Sequence, residues 1–382
     1  MSIVPPADEL KTRLGRFREA LRRRKIAAAL ITNERNVRYL SGFTGGDSAL
    51  LVTPSHKFLL TDFRYVEEAH NSAKGWPVII EKSKKTPDGK IQFVVPHGLM
   101  EKAGHVARKL HLRRLAVEPG DLHLTDMHAL RKATRGIKVK PEHGMVGELR
   151  LLKSDWEVKQ IEAALRIQEA AFVTLCKGLK SGISEREAAA KLRYLMVVGG
   201  ADDQAFDVMF QIGSNSSLPH GRPTERRLNG NAIILLDFGA KRAGYHSDLT
   251  RTFFLGSIPP RLREIHQVVA EAQAASIARI APGVEMADVD AAGRSLIAKA
   301  GYGKAFGHST GHGIGLDIHE QPSLSSRAKG TLQPGMVVTV EPGIYLPGLG
   351  GVRIEDDVLV TKTGGRVLSR LKKGLRWNGD ND

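Results

Sequence analysis

Leu10, Leu14, Phe17 and Leu21 recur at helical intervals over residues 9–25 and predict an amphipathic helix. Short apolar runs then alternate with helical stretches. Residues 26–31, 49–52, 58–60, 78–80 and 115–117 read as strands, and 67–72 and 123–134 as helices. This βαβ-like alternation predicts an α/β domain over residues 1–143, with Pro141 to Gly147 as the linker. From Ser154 a long amphipathic helix is expected to run through Ile161, Leu165 and Phe172 to Leu179. Ser154 and Glu157 have capping-box spacing, as do Ser184 and Glu187 at the start of the next helix. Beyond residue 205 strands dominate, at 206–212, 232–238, 249–255, 337–340 and 358–361, interrupted by helices near 259–280 and 286–301. Strands and a few long helices after one linker predict an α+β domain over 144–382.

Composition supports this two-domain reading. A chain of 382 residues with 41% hydrophobic and 26% charged residues is that of an ordinary globular protein, neither disordered nor collagen-like. No apolar run reaches the roughly 18–20 residues of a membrane span, and the N-terminal segment lacks a signal-peptide core, so a cytoplasmic protein is expected. The single cysteine, Cys176, excludes an internal disulfide and falls among apolar helix positions, as a buried structural thiol would. The net charge of +16 is uneven: residues 1–150 carry +12. No zinc-finger spacing, aromatic RNA-binding strand or zipper heptad accompanies it, so a solvated basic surface is expected rather than nucleic-acid binding.

Two segments carry acids where core strands would not want them. Asp237 and Asp248 flank the turn region AKRAG, and Glu341 and Glu355 flank LPGLGG, with apolar runs outside each pair. As symmetric hairpins, with centres between Arg242 and Ala243 and at Gly348, they place Asp237 opposite Asp248 and Glu341 opposite Glu355. Opposed Cβ atoms lie about 4.5–5.5 Å apart. Like charges that close within an apolar sheet need neutralising, by a shared proton or, for two such pairs, by divalent metal. The alternative is that these acids merely solvate exposed strand ends. A third segment, from Gly307 to Glu320, holds His308, His312 and His319 among glycines that let backbone approach a site. His220 is a fourth loop histidine. Four carboxylates and one imidazole make an oxygen-rich set suited to Mn²⁺. Rival chemistries fit poorly: His246-Ser247-Asp248 is too compact for a hydrolase triad, and GHGIG neither follows a strand into a helix nor precedes the lysine of a phosphate loop.

In order, LDFGA, YHSDLTRTF, TGHGIGLDIHE, VEPGIYLPG and GVRIEDDVLV resemble the pita-bread metallopeptidases, the family of methionine aminopeptidase, aminopeptidase P and prolidase. Residues 36–43 and 61–65 are similar to the creatinase-like N-terminal domain of the proline-directed members, which methionine aminopeptidases lack. The resemblance implies an α/β N-terminal domain followed by an α+β pita-bread domain. By it, Asp237 would chelate one metal ion, Asp248 and Glu355 would bridge, and His312 and Glu341 would hold the second. The two ions would be Mn²⁺, with Co²⁺ or Zn²⁺ as alternatives, and would activate a hydroxide. Glu341 would also act as general base, His220 and His319 would polarise the scissile peptide, and His308 and Arg353 would serve on the substrate side. The implied protein is a homodimeric aminopeptidase of the aminopeptidase P type, acting on peptides with proline second. The alternatives are an Xaa-Pro dipeptidase and, from another class, a non-catalytic pita-bread binding protein with a basic N-terminal domain.

Overall fold

The computed structural model describes residues 4–85, 91–95 and 98–376. The chain divides into two units, Met1–Arg150 and Leu151–Asp382. The break falls later than the 143/144 boundary expected from sequence. The short helix Gly147–Arg150 belongs to the first unit, where Tyr39 Oη donates to Leu149 O (3.3 Å) and Arg150 Nη1 to Asn36 Oδ1 (2.9 Å).

The first unit is α/β, as expected. Its six-stranded sheet runs, edge to edge, through Val78–Ile79, Lys57–Leu60, Ala49–Val52, Ala29–Ile31, Arg114–Val117 and Lys138–Pro141. Ala29–Ile31 pairs antiparallel with Ala49–Val52 and parallel with Arg114–Val117. Strands this short form a sheet because helices cover them: Leu30, Leu51, Leu60 and Leu115 pack with Ala103, Ala107 and Leu130. The predicted first helix is Ala7–Arg23, with Leu14, Phe17 and Leu21 buried.

The second unit combines four long helices with antiparallel strands. Both predicted capping boxes are present: Ser154 and Glu157 open Asp155–Lys177, and Ser184 and Glu187 open Glu185–Val198. Pro260–Arg279 and Met286–Lys299 are the other two helices. One three-stranded sheet is ordered Met209–Ile212, Ala232–Phe238, Leu249–Leu255. Ala232–Phe238 is an unalternating apolar run because both its faces are covered. Ile234, Leu236 and Phe238 pack with Phe172 and Leu192, while Ile233 packs with Leu262 and Ile265. A five-stranded sheet is ordered Glu320–Leu324, Gly311–Gly313, Val337–Val340, Asp356–Val360, Gly365–Val367. Cys176 is buried in the first core, which pushes its thiol pKa up and makes it a poor nucleophile. No helix among the described residues is long and apolar enough to cross a membrane.

Candidate metal centre

Strand register brings the acids together. Val340 pairs with Asp356 and Leu346 with Gly350, around a turn in which Gly348 is left-handed (φ 81°). The same register sets Glu341 across from Glu355, as the sequence predicts. The other hairpin differs. Asp237 pairs with Thr250, not Asp248, because the turn is centred one position later: Ala243 (φ 51°) and Gly244 (φ 77°) form its two-residue loop, between paired Arg242 and Tyr245. Moving the partner by two residues preserves the sheet face, so Asp248 lies diagonal to Asp237 on the same side. His312 enters on the strand Gly311–Gly313. Its flanking glycines permit that: a Cβ at Gly311 would meet Thr339 O at 1.9 Å, and one at Gly313 would meet Gln321 O at 2.2 Å.

A cavity of about 520 Å³ is lined by His220, Asp237, Asp248, His308, His312, His319, Glu341, Arg353 and Glu355, so every site residue singled out from the sequence faces one space. Asp248, His312 and Glu355 each bring one possible ligand atom to within 4.8 Å of the others. His312 Nε2 stands 3.5 Å from Glu341 Oε1 and 3.7 Å from Asp248 Oδ2. Its Nδ1 lies 3.0 Å from Gly313 O, which can only accept, so the proton belongs on Nδ1 and the Nε2 lone pair faces the acids. Burial lowers the His312 pKa to about 4 and keeps the ring neutral.

The carboxylates carry the electrostatic imbalance. Burial lifts Glu341 to about 8, although the Arg353 cation opposes it. Burial, with the neighbouring acids adding to it, lifts Asp248 and Glu355 well above the ordinary range. Glu355 Oε2 accepts from Thr250 Oγ1 (2.6 Å), and Asp237 Oδ2 accepts from Arg353 Nη2 (2.6 Å). Asp237 Oδ1 and Asp248 Oδ1 are buried with no hydrogen-bond partner among the described residues. Buried carboxylate oxygens without donors, beside an imidazole lone pair, fit divalent cations in both donor type and charge.

The remaining residues frame this cluster. Arg353 is 3% exposed and uses four of its five N–H donors within the protein: Nε donates to Thr250 Oγ1 (3.0 Å), Nη1 to Tyr345 Oη (2.8 Å) and Pro219 O (3.4 Å), and Nη2 to Asp237. It therefore positions the wall of the site. Both nitrogens of His308 are engaged as well, Nε2 with Tyr345 Oη (2.9 Å) and Nδ1 with Ser309 O (2.8 Å), and burial lowers its pKa to about 4. His220 and His319 are exposed at the mouth, the His319 ring 4.4 Å from that of His312. Sequence reasoning missed Tyr345, Thr250 and Thr339. Thr339 Oγ1 accepts from His312 N at 3.0 Å. Thr250 was accessible in principle as the true cross-strand partner of Asp237; nothing local marks Tyr345 or Thr339.

Known proteins match both units. Residues 159–362 match the model of metallopeptidase family M24, and residues 13–152 match the creatinase/prolidase N-terminal domain. An Xaa-Pro dipeptidase of Pyrococcus horikoshii is 33% identical over 96% of this chain and 99% of its own length. The structure of an Xaa-Pro dipeptidase from Bacillus anthracis aligns with a TM-score of 0.89 at 37% identity, covering 96% of this chain and 99% of that one. An X-Pro aminopeptidase from Thermotoga maritima aligns with a TM-score of 0.85 at 32% identity, covering 94% and 99%. With the acid cluster in the position described, the chain belongs to metallopeptidase family M24, the metal-dependent exopeptidases of pita-bread fold, in the branch that carries a creatinase/prolidase N-terminal domain.

Proposed function

We propose that this chain is an Xaa-Pro dipeptidase that works with two divalent cations held by Asp237, Asp248, His312, Glu341 and Glu355. The observation that carries the metal part is the pair of donorless buried oxygens, Asp237 Oδ1 and Asp248 Oδ1, beside the His312 lone pair. The dipeptidase part replaces the aminopeptidase expected from sequence, since relatives named Xaa-Pro dipeptidase match nearly the whole chain. The likeness to an X-Pro aminopeptidase keeps the second reading open to the same test.

Bound divalent cations supply Lewis acidity and bring the pKa of water towards neutrality. The chain's own residues do the rest. Glu341, which lines the cavity beside His312, is placed to take a proton from the attacking water and return it to the proline nitrogen. His220 and His319, exposed at the mouth, are placed to donate to the scissile carbonyl as negative charge develops. His308, held by Tyr345, and Arg353 shape the proline side. The oxygen-rich donor set favours Mn²⁺.

The test is hydrolysis of Xaa-Pro and Xaa-Pro-Yaa by metal-stripped protein with Mn²⁺, Co²⁺ or Zn²⁺ added back. The expected result is metal-restored cleavage of Xaa-Pro with little cleavage of the tripeptide. Efficient tripeptide cleavage would restore the aminopeptidase reading, and no metal-dependent hydrolysis would leave the binding-protein reading.

A further inference from the structure

Building on the dipeptidase reading, we propose that Arg222 is the specificity residue that reads the free carboxylate of an Xaa-Pro substrate. In such a dipeptide the scissile nitrogen and the carboxylate share one Cα, so presenting the bond to the acid cluster brings another anion into the same cavity. The two cations of the proposed function balance the four acids that line that cavity, so they do not by themselves provide for this further anion. A carboxylate leaving water there needs N–H donors of its own.

Among the described residues, two arginines line the cavity, Arg222 and Arg353. Arg353 is spent on Asp237, Thr250, Tyr345 and Pro219. Neutral His308 and His312 already use their N–H groups on the protein or keep a lone pair towards the acids. Arg222 is exposed at the mouth and makes no ion pair or hydrogen bond among the described residues.

Its backbone, by contrast, is held on both sides. Gly221 N donates to Leu218 O (3.1 Å), and Gln211 Nε2 donates to Leu218 O (2.8 Å) and Gly221 O (3.3 Å). Beyond Pro223, whose ring fixes φ, Thr224 N donates to buried Glu185 (2.8 Å). A guanidinium with free donors on an anchored loop suits bidentate recognition of a carboxylate. A tripeptide has an amide there and gains nothing from it.

The experiment compares Ala-Pro, Ala-Pro amide and Ala-Pro-Gly on the full-length protein loaded with Mn²⁺, for the parent, Arg222→Gln and Arg222→Lys. The parent should prefer the free acid. Arg222→Gln should raise KM for Ala-Pro by about 10–100-fold and reduce the acid-over-amide preference by a similar factor, with kcat little changed. Arg222→Lys should recover part of the loss. An unchanged acid-over-amide preference in Arg222→Gln would overturn the assignment while leaving the dipeptidase reading intact. A parent that ignores Ala-Pro but cleaves Ala-Pro-Gly would overturn both.

Discussion

Glu355 and Asp356 are consecutive, both buried (2% and 0% exposed), and belong to opposite electrostatic worlds. Asp356 accepts from Arg251 Nη2 (2.7 Å) and Ser369 Oγ through one oxygen, and from Gln273 Nε2 (2.9 Å) and Lys373 Nζ through the other. Burial opposes its charge, yet the Arg251 and Lys373 cations hold its pKa below the usual carboxylate value. Among the described residues Glu355 has one side-chain donor, Thr250, and it shares its cavity with Asp237, Asp248 and Glu341. The first acid is a strut, complete within the protein. The second, Glu355, is on the proposed function completed by a cation from outside. Burial alone therefore does not distinguish these two acids; what differs is whether cations and donors from within the protein meet the charge.

The largest effects should separate these two kinds of acid. Asp248→Ala or Glu355→Ala should abolish turnover and lower the metal bound per chain, measured by elemental analysis beside peptide hydrolysis. Either variant retaining parental metal and rate would remove that residue from the proposed ligand set. Asp356→Asn should do the reverse. By leaving Arg251 and Lys373 facing an amide it should cost about 3–5 kcal/mol in urea unfolding while metal content stays at the parental value. Loss of metal without loss of stability in Asp356→Asn would break the distinction between strut and ligand.

How much of this was legible in the sequence follows from how local each determinant is. The helices from Ser154 and Ser184 were readable because a capping box lies within four residues. The Glu341–Glu355 register was readable because its turn is symmetric about Gly348. The Asp237 register was not, because the left-handed loop falls on Ala243 and Gly244, and alanine gives no hint of a positive φ. The error was harmless because it was even, leaving both acids on one face. Strand ends were read too long: 26–31 shortens to Ala29–Ile31, and 206–212 to Met209–Ile212. The run Glu355-Asp356-Asp357 offered no local basis for telling ligand from strut. That distinction depends on Arg251 from the opposite hairpin and Lys373 near the end of the described chain.

A third buried acid, in the first unit, sharpens the comparison with a smaller effect. Glu118 accepts from Thr32 N (3.2 Å), Asn33 N (3.3 Å) and Asn36 Nδ2, all neutral donors. Among the described residues it has more donors than Glu355 and no cationic partner such as Asp356 has. Burial outweighs those hydrogen bonds and lifts its pKa from the ordinary 4.5 to about 7. The folded state thus holds this proton more tightly than the unfolded state. The resulting stabilisation is fully present below pH 4.5 and is lost as pH rises through about 7, by at most about 3 kcal/mol. Glu118→Gln keeps one acceptor oxygen and removes the titration, so it should flatten this slope, read from urea unfolding followed by labelling of peptides across residues 29–52. A slope that survives in Glu118→Gln would place the titration elsewhere. A slope of opposite sign in the parent, with stability gained as pH rises, would mean that neutral donors alone suffice to make a buried carboxylate a strut.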